Sequence, residues 1–394
     1  MPKDKMTKLS FENTEIAFQS KSTKQLKKSY WLFKLVSNKA LVKISPTLLK
    51  IAFFLRLPIK GLIKQTIFEQ FCGGESIDTC DKRIQTLAKY NIGTILDYSV
   101  EGKESEVDFN RVTQETIRTI LKAKEDENIP FAVFKTSGLA RIDLLEKVGA
   151  MNDQLSKEEK EEFNRVKERI NTICSTAHKN NVRIFIDAEE SWIQTAIDDL
   201  AISMMRKFNK EKAIVFNTLQ MYRWDRFAYL KQCYADAENG NYFLGLKIVR
   251  GAYMEKERER AHEMSYPSPI QKDKASCDND YNLALTFCIN HIDKIAICAG
   301  THNEQSSMLL TELMAENKIL KDDQRIYFSQ LLGMSEHISF NLSKYAYNVA
   351  KYMPYGPVKD VLPYLIRRAE ENTSISGQTG RELGLIIKEK NRRS

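Results

Sequence analysis

Short apolar runs alternate along the chain with longer segments whose apolar residues recur at helical spacing. Eight such runs follow one another, and a helical segment separates each run from the next. Alternation of strand and helix is typical of a parallel sheet, and eight such units close into a barrel. The pattern therefore predicts an α/β protein built on a (β/α)8 barrel. The predicted strands are 94–98, 131–136, 182–187, 213–219, 243–250, 295–300, 325–331 and 348–352.

The region before the first strand has a different character. No acidic residue lies between Ile16 and Phe68, whereas eleven lysines and arginines do. Apolar residues recur there in a stripe at helical spacing and predict helices. They are Trp31, Leu32, Leu35 and Val36 and, more loosely, Leu49, Phe53 and Leu55. This stripe packs on the main domain in one interpretation, and in the other it forms a basic amphipathic surface that contacts anionic lipid. We therefore divide the chain into a basic helical N-terminal region, residues 1–75, and a barrel domain, residues 76–394.

Charge and composition exclude several classes of protein. The chain carries a net charge of +8, but the eleven N-terminal cations leave the remainder at about −3, which argues against nucleic-acid binding by the barrel. The seven cysteines form no CxxC pair, and no His/Cys cluster has zinc-ligand spacing, so no metal site is expected. No signal peptide or apolar stretch of membrane-spanning length is visible. We expect a cytoplasmic protein that at most contacts the inner face of the membrane peripherally.

Polar residues end nearly all of the predicted strands. Barrel enzymes place their active sites at the C-terminal ends of the strands. A strand-end polar group is, taken singly, more often structural, but a full set predicts a ligand site at the barrel mouth. After the fifth strand, small residues allow a flat ligand to approach the backbone closely. The strand-end residues are Lys135, Asp187, Gln220, Lys247, Arg250, Gly251, Ala252, Thr301, His302, Asn303, Gln330 and Tyr352.

A helix after the eighth strand carries the most informative pattern. Tyr364, Arg367, Arg368 and Glu371 share one face of this helix. Two guanidinium groups bind a carboxylate bidentately, and a neighbouring aromatic ring encloses the apolar part of a ligand. A solvated charged helix face is the alternative. Because the helix follows the last strand, we expect it to lie over the barrel mouth.

Several ordered motifs resemble those of the proline dehydrogenase (proline oxidase) family. They cover most of the barrel, from about Lys135 to Asn372. Lys247 stands where many members have arginine. In this feature the chain resembles the monofunctional, eukaryotic-like branch of the family. The motifs are Asp187-Ala188-Glu189-Glu190, Val249-Arg250-Gly251-Ala252-Tyr253, Thr301-His302-Asn303, Leu331-Leu332-Gly333-Met334, Tyr352-x-Pro354-Tyr355-Gly356-Pro357 and Tyr364-x-x-Arg367-Arg368-x-x-Glu371-Asn372.

The resemblance implies a distorted TIM barrel that binds FAD and oxidises L-proline to 1-pyrroline-5-carboxylate. It implies catalytic roles for Asp187 and Lys247, and a quinone as the electron acceptor. Substrate binding would fall to Lys135, Leu331, Tyr352, Tyr364, Arg367 and Arg368. Cofactor contacts would come from Ala188, Gln220, Lys247, Arg250, Gly251, Ala252, Thr301, His302, Asn303, Gln330 and Glu371; which of Ser329 and Gln330 faces the flavin stays open.

Two other functions remain open at this point. Hydroxyproline dehydrogenase would share the fold and the cofactor and differ in the pocket around the substrate ring. A Schiff-base aldolase would use Lys135 or Lys247 as the nucleophile and would need no flavin.

Overall fold

Eight parallel strands form a closed barrel in the computed structural model, which describes residues 9–36, 60–99, 104–150, 155–374 and 378–394. The strands follow one another around the barrel in chain order, and the eighth pairs with the first. The predicted fold is confirmed, and all eight predicted strands are present. They are β1 (Ile92–Tyr98), β2 (Phe131–Lys135), β3 (Arg183–Asp187), β4 (Val215–Gln220), β5 (Leu244–Val249), β6 (Ile295–Gly300), β7 (Ile326–Leu331) and β8 (Val349–Tyr355).

Helices of very different lengths surround the barrel and precede it. Each long helix between strands turns an apolar stripe towards the sheet. A capping box at Ser156 and Glu159 opens one of them. The helices are α1 (Thr14–Ala17), α2 (Thr23–Val36), α3 (Lys60–Ile63), α4 (Glu69–Phe71), α5 (Ile77–Ala88), α6 (Glu106–Glu125), α7 (Ile142–Gly149), α8 (Lys157–Lys179), α9 (Ser191–Phe208), α10 (Arg226–Asn239), α11 (Met254–Glu263), α12 (Lys274–Asn290), α13 (Glu304–Glu316), α14 (Glu336–Lys344), α15 (Leu362–Ser374) and α16 (Gln378–Arg392).

The interior of the barrel has an apolar floor and a polar upper layer. Phe131 stacks on Phe185 with ring centroids 4.3 Å apart, and Phe216 meets both rings edge-on. Because side chains alternate along a strand, residues two or four positions further on face the same interior near the mouth. Lys135 and Asp187 hold such positions. The strands therefore deliver polar groups to one end of a filled barrel.

The N-terminal helix α2 packs through a different stripe from the one expected. Leu26 and Phe33 are buried, whereas Trp31 and Leu35 are 64% and 60% exposed. The expectation that the Trp31 stripe packs on the main domain is therefore wrong for these two residues. Helix α2 buries a face other than the expected one, because Leu26, Ser29 and Phe33 also recur at helical spacing and form a narrower buried stripe. Leu32 is partly buried against the cluster that contains Phe33, as that interpretation expected. Leu49, Phe53 and Leu55 lie outside the described residues.

Both ends of the chain share one apolar cluster beside the barrel mouth. Phe18 and Phe33 from the N-terminal helices pack in it with Leu365 of α15 and Ile386 of α16. Helix α15 is the helix expected after the eighth strand, whereas α16 was not predicted. No helix within the described ranges combines the length and the apolarity needed to cross a bilayer.

Candidate active site

Asp187 is the centre of a buried polar network inside the barrel mouth. Its carboxylate forms a short ion pair with Lys247 of β5 and accepts a 2.5 Å hydrogen bond from the Tyr352 hydroxyl of β8. The side chains of Asp187 and Lys247 are only 11% and 7% exposed. The ammonium of Lys247 also lies 5.1 Å from the centre of the Phe185 ring and 4.7 Å from that of Tyr352. Three strands thus fix one carboxylate.

Lys135 joins this network from the end of β2. Its Nζ lies 3.6 Å from Asp187 Oδ2 and 3.2 Å from Oδ1 of Asp97, which is on β1. Asp97 in turn accepts a 2.5 Å hydrogen bond from Ser99. Asp97 was not among the predicted site residues, although it lies two residues beyond the interior residue Ile95 on the same strand, and that spacing indicates an interior position.

The electrostatics of the network favour an ionised Asp187. Burial opposes this, but the charges of Lys247 and Lys135, together with the hydrogen bonds from Lys247 and Tyr352, lower the pKa of Asp187 below its usual value. Burial, followed by the charge of Asp187, raises the pKa of Tyr352 well above its usual value. Tyr352 is therefore held as a neutral hydrogen-bond donor to a carboxylate.

Helix α15 brings its aromatic and basic face to the same place. The Arg368 guanidinium lies 5.0 Å from the centre of the Tyr364 ring, and both residues are buried. Tyr364 contributes to the raised pKa of Tyr352, so the helix face and the Asp187 network lie within electrostatic reach. Arg367 is partly buried. The side chain of Glu371 lies outside the described residues.

Leu331 connects the barrel interior to the packing of α15. It ends β7 and packs both against the interior cluster around Phe185 and Tyr352 and against the cluster that contains Tyr364. An apolar side chain thus borders the space between the Asp187 network and the basic face of α15.

Arg250 organises a second polar group on the β5–β6 side of the mouth. It bonds to Asp278 Oδ1 at 2.7 Å, to Thr301 Oγ1 at 2.7 Å and to Ser306 Oγ at 2.9 Å. Its guanidinium also lies 4.3 Å from the centre of the Tyr281 ring. Its side chain is nevertheless 22% exposed, so it presents a positive charge at the surface of the mouth.

Small and amide residues surround this arginine. Gly251 and Ala252 are exposed, Ala188 is partly buried, and Gln220 is buried with its amide donating to the Glu189 carbonyl at 2.7 Å. Gly251 has φ of +138°, and a Cβ there would lie 2.5 Å from the Tyr222 ring. The backbone at Gly251 therefore requires glycine.

His302 and Asn303 follow Thr301 at the end of β6. His302 Nδ1 lies 2.8 Å from the Ser335 hydroxyl. Burial, followed by the positive charges of Lys351 and Arg368, lowers the pKa of His302 to about 3, so its imidazole is neutral. Asn303 caps helix α13, because its side chain accepts a hydrogen bond from the Ser306 N–H at 3.0 Å.

Ser329, and not Gln330, faces the barrel interior. Ser329 accepts a hydrogen bond from the interior residue Cys298 at 3.2 Å. The Gln330 amide instead bonds to the Thr301 carbonyl at 3.1 Å and to Ser339 of α14 at 2.8 Å. Side chains alternate between the two faces of a strand, so only one of these two neighbours can point into the barrel. The sequence did not reveal which one, because the register of β7 was not known.

A third carboxylate supports the turn that follows Lys135. Glu189 is buried; it accepts the Ser137 N–H at 2.9 Å and forms a short hydrogen bond with the Ser137 hydroxyl. Burial raises the pKa of Glu189 to about 7, and the hydrogen bonds from Ser137 partly offset this effect.

In the parts of the chain that the structure describes, no group of three or more His, Cys, Asp or Glu residues is arranged to hold a metal ion.

Comparisons with known proteins agree with this geometry. The family model described as proline dehydrogenase matches residues 80–381. Proline dehydrogenase 1, mitochondrial, of Dictyostelium discoideum is 34% identical over 97% of this chain and 74% of its own length. The Arabidopsis thaliana protein of the same name is 32% identical over 85% of this chain and 76% of its own length.

A solved structure with the same fold adds independent support. Proline utilization A (PutA) from Bdellovibrio bacteriovorus, inactivated by N-propargylglycine, matches with a TM-score of 0.72. The match covers 94% of this chain and 40% of the PutA chain. Because the two sequences are only 18% identical, the match supports the fold alone.

These comparisons overturn one expectation and confirm three. The expected cytoplasmic location is wrong, because the Dictyostelium and Arabidopsis relatives are named mitochondrial proteins. The expected enzyme class is confirmed by the names of these relatives, and the eukaryotic-like branch by their sources. The match over residues 80–381 confirms the expected family: the chain belongs to the proline dehydrogenase family.

Proposed function

We propose that this protein oxidises L-proline to 1-pyrroline-5-carboxylate with FAD as the hydride acceptor and a quinone as the next electron acceptor. The observation that carries the proposal is the meeting of two arrangements at one barrel mouth. One is the buried Asp187 network, and the other is the face of α15 that carries Tyr364 and Arg368. The family match leaves the aldolase alternative without support.

The substrate carboxylate is the group that the basic face of α15 suits best. Arg367 and Arg368 carry planar guanidinium groups that bind carboxylates bidentately. Lys135 supplies a further cation from the end of β2, where Asp97 and Asp187 hold its ammonium. The apolar ring of proline would pack against Leu331, Tyr352 and Tyr364, which would form the walls of the pocket.

The polar group around Arg250 has the chemistry that a dinucleotide requires. The phosphates of FAD need a cation at the surface, and Arg250 supplies one at 22% side-chain exposure. The exposed Gly251 and Ala252 leave the backbone beside it open to a flat or charged ligand. These features support a flavin site here. The proposed contacts are Ala188, Gln220, Lys247, Arg250, Gly251, Ala252, Thr301, His302, Asn303 and Glu371, with Ser329 in place of Gln330, whose amide bonds to Thr301 and Ser339.

The protein contributes position and charge to the reaction. When bound, FAD supplies the acceptor for the hydride that leaves the ring carbon next to the proline nitrogen. Asp187 fixes Lys135, Lys247 and Tyr352 relative to one another, so we propose that it organises the substrate end of the site. Lys247 would present its charge to the reactive edge of the flavin, with its orientation set by the ion pair to Asp187.

The Arg368→Met variant tests the substrate site. The variant removes the guanidinium beside Tyr364, so we expect the KM for proline to rise about a hundredfold or more, since a charged hydrogen-bonded contact of about 3 kcal/mol is lost. FAD should remain bound. Arg325→Met is the matched control, because Arg325 pairs with Asp323 before β7, at the opposite end of the barrel. Unchanged proline kinetics in Arg368→Met would contradict the assignment.

A membrane quinone as acceptor gives the exposed face of α2, within the N-terminal region of residues 1–75, a role in the reaction. Trp31 and Leu35 are exposed on α2, next to Lys34, whose ammonium lies 5.1 Å from the centre of the Trp31 ring. Exposed apolar residues amid lysines suit an anionic lipid surface, with about 1 kcal/mol gained per basic residue. We therefore propose that this surface of α2 contacts the membrane.

Vesicle co-sedimentation tests this contact. The double variant Trp31→Ser/Leu35→Ser should lose binding to vesicles that contain anionic phospholipid and should keep its turnover with a soluble dye. Leu320→Ser is the control, because Leu320 is 72% exposed outside α2. Equal vesicle binding by wild type, the double variant and Leu320→Ser would contradict the proposal. A loss of dye-coupled turnover in the double variant that matches its loss of binding would contradict it as well.

A further inference from the structure

The turn between β7 and α14, residues 332–335, is built from strained backbone. Gly333 has φ of +77° and Ser335 has φ of +50°. A Cβ at Gly333 would clash with the Gln70 carbonyl, while the Gln70 side chain donates to the Gly333 carbonyl at 2.7 Å. Non-glycine residues with positive φ are uncommon and persist where the surroundings fix them. The contacts that fix this turn therefore identify what holds its shape.

Two buried charged side chains from outside the turn form hydrogen bonds with its backbone. Lys351 of β8, which is fully buried, donates to the Met334 carbonyl at 2.5 Å. Glu382 of α16, only 2% exposed, accepts a short hydrogen bond from the Ser335 N–H. Glu336, the residue after the turn, lies beside Lys351, with its carboxylate 3.4 Å from Lys351 Nζ. Burying charges is costly, so their hydrogen bonds to one turn indicate a position that must be exact.

The held turn connects directly to the barrel mouth. The Ser335 hydroxyl lies 2.8 Å from His302 Nδ1, and Leu331 immediately precedes the turn. The backbone N–H of Ser335 thus binds Glu382, while its side chain binds His302. The hydrogen bond at Nδ1 fixes the ring orientation and leaves Nε2 as the nitrogen for a further contact.

We propose that Glu382 is a positioning residue, which acts through Ser335 to hold His302 in the orientation that binds FAD. The inference rests on the proposed function, because His302 is assigned to the flavin there. It gives α16 a role in the site that packing alone would not require. Helix α16 fixes the His302 imidazole indirectly, through the turn of residues 332–335. The backbone of this turn cannot take another shape without losing its hydrogen bonds to Glu382 and Lys351.

The alternative is that Glu382 merely anchors α16 to the barrel, and the chain offers a matched control. Glu389 lies on the same helix, is fully buried and accepts hydrogen bonds from Arg392 at 2.8 Å and Arg393 at 2.6 Å. Its partners lie at the end of α16, away from the turn. A substitution at Glu389 therefore removes an equally buried carboxylate without touching the path to His302.

The test measures the rate at which the holoenzyme releases FAD, from the rise in flavin fluorescence after dilution. We expect Glu382→Leu to release FAD about tenfold faster than wild type, a change equal to about 1.4 kcal/mol. Glu382→Gln, whose amide oxygen can still accept the Ser335 N–H, should stay close to wild type. Glu389→Leu should lower the melting temperature and leave the release rate unchanged.

Ser335→Ala keeps the backbone N–H that Glu382 accepts and removes the hydroxyl that contacts His302. It should speed FAD release as Glu382→Leu does, and the double variant should release FAD no faster than the faster single variant. Equal effects of Glu382→Leu and Glu389→Leu, or additive effects of Glu382→Leu and Ser335→Ala, would overturn the inference.

These results separate the inference from the proposed function. Wild type that binds FAD and is reduced by proline upholds the function whatever the variants do. Variants that release FAD as wild type does would then refute the role of Glu382 alone. A wild-type protein that does not bind FAD would refute the function first.

Discussion

The Asp187→Asn variant leaves the ammonium of Lys247 inside the barrel without the charge of its partner. The two side chains are 11% and 7% exposed, so water screens the pair weakly. Removing one partner of a buried ion pair costs about 3–5 kcal/mol, because the other charge stays desolvated. We expect the free energy of unfolding to fall by an amount in this range.

The double variant Asp187→Asn/Lys247→Met removes both charges and should recover most of this loss. Replacing a buried pair by neutral side chains is often close to neutral in stability. Lys247→Met alone should cost less than Asp187→Asn, since Asp187 keeps Tyr352 at 2.5 Å and Lys135 at 3.6 Å. The four proteins form a double-mutant cycle whose coupling energy isolates the pair.

Urea denaturation, followed by circular dichroism at one pH, measures the four free energies. The expected coupling energy is roughly 2 kcal/mol or more. Strictly additive losses, or a loss below about 1 kcal/mol in Asp187→Asn, would refute the claim that a desolvated ion pair organises the barrel mouth.

Two further variants test neighbouring parts of the site. In wild type, the pKa of Glu189 is raised to about 7 from an ordinary value of 4.5, so the folded state holds its proton more tightly than the unfolded state does. The resulting stabilisation is complete below about pH 4.5 and is lost as the pH rises through about 7, by roughly 3 kcal/mol. Wild type should therefore lose melting temperature relative to Glu189→Gln between about pH 5 and pH 8, and parallel curves would contradict the burial argument. Gly251→Ala forces a Cβ against the Tyr222 ring at a positive φ, so we expect weaker FAD binding in a fluorescence titration. Wild-type affinity in this variant would place the flavin elsewhere.

The barrel was predictable because each strand is a short apolar run bounded by long amphipathic helices. The strand-end rule also located Lys135, Asp187 and Lys247, which the structure brings into one network. Local pattern and fold agree here, as is usual for sequences whose elements are stabilised by burial.

Features that depend on contacts between distant segments were not predictable. Helix α2 buries Leu26 and Phe33, and no local pattern reveals that α16 takes this face. Glu382 of α16 and Lys351 of β8 bond to the same turn, although they are 31 residues apart in the sequence. The choice between Ser329 and Gln330 required the exact register of β7, because a shift of one residue exchanges the two faces of a strand.

A visible spectrum recorded before and after anaerobic addition of L-proline tests the central claim most directly. The purified protein, supplied with FAD, should show a flavin spectrum that bleaches when proline is added. Bleaching with hydroxyproline but not with proline would contradict the proposed substrate and would favour the sister activity. An FAD-loaded protein whose spectrum neither substrate changes would contradict the proposed oxidation itself.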